Sequence, residues 1–245
     1  MASKSKAAER TRKAAEMRAA QARRERNRRI LTIVGVLALM AVIVGGGIFL
    51  GMKNKKEIKA APAGASDYGV SIGTKDAPHE VVIYEDFLCP FCRELEDATR
   101  EELTQLASDG EVFVEYRPFN LLGGEGRTYP IRAANAFAIV LEKSGPEVAK
   151  EFHDLLYENQ PSEQNPDAEM SNDDIIDLAV KAGAKESDIR PGVEKLSHED
   201  WVNKASEEAH AAGVDSTPTI VLDGERFEDG RSVDDLARNL IKAVK

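Results

Sequence analysis

The two cysteines of this 245-residue chain stand three apart, in Cys89-Pro90-Phe91-Cys92. With no further cysteine, the pair can build neither a disulfide framework nor a four-ligand zinc site, so its sulfurs must act on each other or on an outside thiol. Half of a metal site and a passive structural disulfide compete with that reading. A metal site, however, needs ligands that the sequence does not offer nearby. His79, His153, His198 and His210 fall at no metal-ligand spacing, and His198-Glu199 lacks the second histidine of a zinc-protease helix because Val202 occupies that place. The four histidines read as surface or half-buried side chains. No metal is expected, and no cofactor beyond a redox-active Cys89–Cys92 disulfide.

The neighbours of the motif decide what its sulfurs can do. Val81-Val82-Ile83-Tyr84 is a short, mostly β-branched run after Pro78, which suits a buried strand. Over residues 90–108, Leu95, Ala98, Thr99, Glu102, Leu103 and Leu106 recur at helical spacing, and Asp109-Gly110 is a stop signal. A strand leading into Cys89 and a helix opening at Pro90 would leave the first sulfur beside unpaired backbone N–H groups, at the positive end of the helix dipole. Such surroundings lower a cysteine from a pKa near 8.5 to about 3.5–7.5. Cys89 is thereby the expected nucleophile. Cys92, one turn on and less exposed, is the expected resolving thiol. Glu85 and Asp86 could accept a proton from Cys92, although acids at strand ends are more often solvated.

Further along, residues 112–116 read as a second strand. Helical patterns follow at 131–143 and 146–158, from the Ser171 cap to 182, and at 198–212. Strand character returns at 219–222, with a turn at Asp223-Gly224 and a hairpin partner near Arg226-Phe227. An amphipathic helix over 233–244 closes the chain, and the polar stretch 159–169 reads as a long loop. Phe152, Tyr157 and Trp201 fall within helical patterns as core contacts. Gly123-Gly124-Glu125-Gly126 lacks the strand–helix context of a phosphate loop and reads as a turn. The order of elements predicts an α/β domain whose sheet is assembled from distant segments, with the intervening helices as a lid or subdomain.

Charge is divided along the chain. Residues 1–29 hold eleven Lys/Arg against three acids, so the remainder carries −18 when the total is −10. Residues 30–52 are an uncharged run whose length, at about 1.5 Å per residue, matches the hydrocarbon core of a bilayer of about 30 Å. A transmembrane helix is expected there rather than a cleaved signal, whose apolar region is usually about 7–15 residues, even though Ala60-Ala61-Pro62-Ala63 offers small residues. The basic flank places residues 1–29 in the cytoplasm and the acidic domain outside it. No aromatic residue interleaves the basic tail, so a topology signal is preferred over nucleic-acid binding. Residues 53–67 read as a linker too poor in large apolar groups to pack, leaving 68–245 as the domain.

Asp86-Phe87-Leu88-Cys89-Pro90-Phe91-Cys92-Arg93 resembles the signature of the DsbA-like proteins of the thioredoxin superfamily, and Gly213-Val214-Asp215-Ser216-Thr217-Pro218-Thr219-Ile220 resembles their cis-proline segment. The resemblance covers residues 66–245 and implies a thioredoxin-like fold with a helical insertion at about 128–212. It implies that Pro218 is cis and faces the disulfide, with Pro90, Phe91 and Thr217 supporting the site and the Thr217 backbone open to an extended peptide. The implied activity is disulfide formation in unfolded or cysteine-containing secreted and cell-envelope proteins, with a membrane partner that recycles the pair. Reduction or isomerisation by the same atoms is the alternative, as is a non-redox chaperone or binding module. Two departures bear on this. Phe91 replaces the histidine of the strongest oxidant and implies a potential more negative than the −120 mV of DsbA (about). Ile83 stands where the family carries a buried acid.

Overall fold

The computed structural model describes residues 58–124, 126–165 and 169–245. The expected basic tail at 1–29, the expected membrane span at 30–52 and the first part of the linker lie outside these residues. Among the described residues no helix is long and apolar enough to cross a membrane.

Five strands, β1 (Val70–Ile72), β2 (His79–Glu85), β3 (Val112–Pro118), β4 (Thr219–Leu222) and β5 (Glu225–Phe227), form one sheet in the order β1-β3-β2-β4-β5 among the described residues. β2 and β3 run parallel, with Val81 opposite Val114 and Ile83 opposite Tyr116, and the other pairings are antiparallel. A parallel pair needs a crossover. Here it is helix α1 (Pro90–Ser108), whose missing first N–H donor makes Pro90 a suitable opening residue. The helix ends in a Schellman turn, in which the N–H of Glu111 reaches the Leu106 carbonyl and that of Gly110 the Ala107 carbonyl, with Gly110 at φ 80°.

Strand residues alternate between two cores. Val81, Ile83, Val114 and Tyr116 face the larger one, with Leu95 and Leu103 of α1 and with Ala237, Leu240 and Ile241 of the C-terminal helix. Val82, Tyr84 and Phe113 face the smaller one on the other side. Because β2 and β3 are covered on both faces, their apolar runs are nearly continuous.

Between β3 and β4 the described residues hold α2 (Tyr129–Ser144), α3 (Pro146–Glu158), α4 (Asn172–Lys181), α5 (Glu186–Lys195) and α6 (Glu199–Ala211), and α7 (Val233–Ala243) follows β5. Ser171 and Asp174 cap α4 reciprocally, as a capping box. Two elements were not read in the sequence. β1 is only three residues long, and α5 carries Pro191 in its interior, which masks a helical pattern. A Cβ at the neighbouring Gly192 would lie 2.8 Å from Ile139 Cδ1, so α5 and α2 approach closely because Gly192 has no side chain.

Residues 58–67 differ from the unpacked linker expected of them. Ala63 is buried, the N–H of Lys59 donates to the Ala212 carbonyl at 2.9 Å, Arg117 Nη2 donates to the Pro62 carbonyl at 2.8 Å, and the N–H of Gly64 donates to Glu115 Oε2 at 2.9 Å. Polar backbone bonds to a buried ion pair hold this segment in place of large apolar side chains, which is why its composition hid it.

Candidate active site

Cys89 is the residue that caps α1. Its N–H donates to the Asp86 carbonyl at 2.9 Å, its own carbonyl accepts from Cys92 and Arg93, and no side chain caps the helix end. The Cys89 sulfur therefore occupies the anion-favouring position at the helix start. Its thiol lies 3.4 Å from the Thr217 carbonyl, in the position to donate to it, and Thr217–Pro218 is a cis peptide. β4 starts at the next residue and pairs with β2, so the sheet itself brings residues 217–218 to the end of the strand that leads into the motif.

The two sulfurs are electrostatically unlike. The Cys92 thiol donates to the Cys89 sulfur and outweighs burial, which alone would push Cys89 up. The Thr217 side chain and the N–H groups of Cys92 and Phe91 add to the effect, and Cys89 comes down from an ordinary 9.0 to about 7. Cys92 moves the other way. Burial raises it well above its ordinary value, and the negative charges of Cys89 and Glu85 raise it further. Both cysteines are free and buried, whereas Phe91 is 56% exposed and forms the rim of the site.

Glu85 and Asp86 are not the solvated strand-end acids expected of them. Both are buried. Asp86 is committed to the backbone: Oδ1 accepts from the N–H of Leu88, and Oδ2 accepts from those of Leu121 and Leu122, each at 2.8 Å. Burial raises its carboxyl and these three donors only partly offset that. It ties the motif loop to the chain leaving β3. Glu85 lies on the same face of β2 as the apolar Ile83, two residues on, and its Oε1 pairs with His153 Nε2 from α3.

His153 is fully buried, which corrects its reading as a surface or half-buried residue. Its ring lies among Phe87, Tyr116, Phe137 and Tyr157, and its Nδ1 is 2.8 Å from Asp154 Oδ1. Glu96, one helical turn after Cys92, completes a set in which carboxylate oxygens of Glu85 and Glu96 and a His153 nitrogen all lie within 4.8 Å of one another. This group has ligand-type atoms but also its own cations. Arg100 bonds Glu96 at 3.3 Å and Lys150 bonds Asp154, so three acids face three bases and the arrangement is a charge network.

Sequence reading missed His153, Glu96 and Gln160. The first two interrupt the apolar stripes Ala149-Phe152-Leu156 and Cys92-Leu95-Thr99, and that interruption was the available signal. Gln160 gave none. Its Nε2 donates to the carbonyls of Phe87 at 3.0 Å and Cys89 at 2.9 Å, pinning the motif from the loop after α3.

Comparison with known proteins agrees with this geometry. The family model described as Thioredoxin matches residues 65–243. The chain is 26% identical over 203 residues to the probable disulfide bond formation protein D of Bacillus cereus, covering 81% of this chain and 90% of that one. Oxidised DsbA of Mycobacterium tuberculosis superposes with a TM-score of 0.59 at 26% identity, covering 72% of this chain and 91% of the other. MdbA of Corynebacterium diphtheriae, at 23% identity and a TM-score of 0.60 over 78% and 98% of the two chains, shares the fold. The chain thus belongs to the thioredoxin family, with DsbA-like disulfide oxidoreductases among its relatives.

Proposed function

We propose that this protein is an extracytoplasmic, membrane-anchored oxidase that introduces disulfides into secreted or cell-envelope proteins through Cys89 and Cys92. The chain is a thiol–disulfide oxidoreductase. The observation that carries the reading is the placement of the Cys89 sulfur at an uncapped helix start, 3.4 Å from the Thr217 carbonyl and beside the cis Thr217–Pro218 peptide, with Cys92 buried one turn behind it.

In the oxidised protein a substrate thiolate attacks Cys89 Sγ, the Cys89–Cys92 bond breaks, and Cys92 leaves and takes up a proton. A second substrate thiolate then attacks the substrate sulfur of the mixed disulfide and expels Cys89 as a stabilised thiolate. Two substrate thiols become one disulfide, and the pair gains the two electrons. A membrane redox partner removes them to restore the disulfide.

Beside the motif, a cavity of about 410 Å³ lined by Phe91, Thr217, Pro218, Phe227, Leu236 and Arg226 suits an extended peptide. Its strand would lie along the Thr217 backbone, as in β-augmentation. The uncharged run at 30–52 supports the anchor, and the basic residues before it support an outward-facing domain.

Cys89→Ser tests the reading. Loss of both insulin reduction and peptide oxidation is expected, whereas unchanged client handling by the variant would mark a non-redox binding module. Reduction and isomerisation use the same atoms, and the Phe91 side chain, which offers the thiolate no hydrogen bond, favours them more than a histidine would. The redox state of Cys89–Cys92 in intact cells separates the directions: a mostly oxidised pair is expected, and a mostly reduced pair would assign the protein to reduction or isomerisation.

A further inference from the structure

The charge network beneath the cysteines joins two parts of the chain that the exchange chemistry does not itself require to meet. Glu85 belongs to the strand that delivers the motif, and His153 to a helix of the insertion between β3 and β4. Both are buried, the contact runs from Glu85 Oε1 to His153 Nε2, and Glu85 is near enough to Cys92 to push its thiol up. A buried carboxylate so close to a redox pair opposes formation of thiolate unless a cation stands beside it.

We propose that His153 is a positioning residue for the disulfide chemistry: it holds a positive charge on the Glu85 carboxylate below Cys92, so that this acid does not oppose ionisation of Cys89. The inference rests on the exchange chemistry proposed above.

Every charged or titratable neighbour is consistent with this role. From α1, Glu96 faces the pair with Arg100 as its partner. Asp154 and Lys150 lie on α3 itself, the first at the other ring nitrogen of His153 and the second bonded to Asp154. Tyr116 of β3 and Tyr157 of α3 lie against the imidazole with hydroxyls that make no hydrogen bond, and α2 presents Phe137. Lys150 and Arg100 are thus engaged with Asp154 and Glu96, which leaves His153 as the cation in contact with Glu85. Burial alone would lower His153, but the Glu85 charge and the hydrogen bonds to Asp154 and Glu85 raise it from 6.5 to about 9, so it is charged at neutral pH.

The test is the pH dependence of Cys89 alkylation in the full chain, with glutathione equilibration alongside. In His153→Gln the midpoint of Cys89 should rise by about one pH unit, a tenfold loss of thiolate at pH values below both midpoints. At pH 7 the glutathione equilibrium should move about twofold toward the disulfide form, about 9 mV more negative. Glu85→Gln/His153→Gln, which removes both charges, should return both readouts close to the original. A single unmoved midpoint in His153→Gln would overturn the proposal, and so would a shift that persists undiminished in the double variant, because that is the mark of lost packing. If His153→Gln does not fold, Glu85→Gln decides: its Cys89 midpoint should hold or fall, and a rise overturns the proposal. Alkylation reads Cys89 without any turnover. A starting protein that exchanges no disulfides while its variants shift as expected would therefore defeat the functional reading and leave the charge pairing standing.

Discussion

Two buried ion pairs lie on opposite faces of the same two strands, and they are made of different bases. On one face Glu85 pairs with His153 beneath the cysteines. On the other, Glu115 Oε2 accepts from Arg117 Nη2 and Nε, with Arg117 Nη1 donating to Tyr84 Oη and Nη2 also to the Pro62 carbonyl. Arginine keeps its charge at any pH a protein meets, and its fork can bond several acceptors at once. Histidine has one donor per nitrogen and a charge that can be removed. The arginine pair is accordingly a clamp, fully bonded and tied to residues 58–64. The histidine pair adjusts a reactive centre. Burial of charge is common to both faces, and titratability belongs to one.

The largest expected effect comes from breaking the clamp. Arg117→Met leaves Glu115 buried without its partner and should cost about 3–5 kcal/mol in urea unfolding, while the exchange rate per folded molecule stays the same. Glu115→Gln/Arg117→Met should recover most of that loss. An equal loss of exchange activity would mean that the two faces are not separable.

A smaller effect separates the pairs by pH. Folding raises His153 from 6.5 to about 9, so its contribution is complete below about 6.5 and fades as pH rises through about 9. Asp154 is opposed by its own burial, but the His153 hydrogen bond and charge and Lys150 bring it from 3.8 to about 2, so its contribution is present above about 3.8 and fades as pH falls through about 2. Between pH 6 and 10 the protein should lose about 1–3 kcal/mol that His153→Gln does not lose. The variant's slope across that window, read by denaturant titration, is the check, and equal slopes in the two proteins would contradict the assignment. Gln160→Ala should cost less again, about 1 kcal/mol, since it removes neutral hydrogen bonds to the Phe87 and Cys89 carbonyls and no charge.

The comparison also explains what could be read in the sequence. The cysteine motif, its strand and its helix were legible because all their signals are local: a β-branched run, a proline at the first helical position and a glycine just past the end. The Thr217-Pro218 segment was legible only through resemblance, since nothing local ties it to residues 128 positions earlier. Both ion pairs were invisible. Glu85 and His153 are 68 residues apart, and Glu115 and Arg117, though two apart on one strand, are completed by contacts with Tyr84 and Pro62, so neither buried network is whole until the sheet has formed. Asp86 and Glu85 are neighbours of the same chemical type, and only the fold distinguishes the backbone clamp from the acid beneath the sulfurs.

The smallest effect concerns the redox centre directly. The Phe91 side chain cannot donate a hydrogen bond to the Cys89 thiolate, so that anion relies on the Cys92 thiol, Thr217 and backbone N–H groups. A less stabilised reduced form holds the disulfide more firmly, and the potential should be at least ~15 mV more negative than the −120 mV of DsbA, about 0.7 kcal/mol. Glutathione equilibration measures it. Phe91→His restores a donor and should move the potential back toward the oxidising end, while leaving the His153-dependent pH slope of stability untouched, because position 91 lies on the exposed rim and the imidazole of His153 lies in the core. If the two readouts moved together, rim and core would be one electrostatic unit, and the division between a thiolate set locally and a buried pair that holds its surroundings neutral would have to be given up.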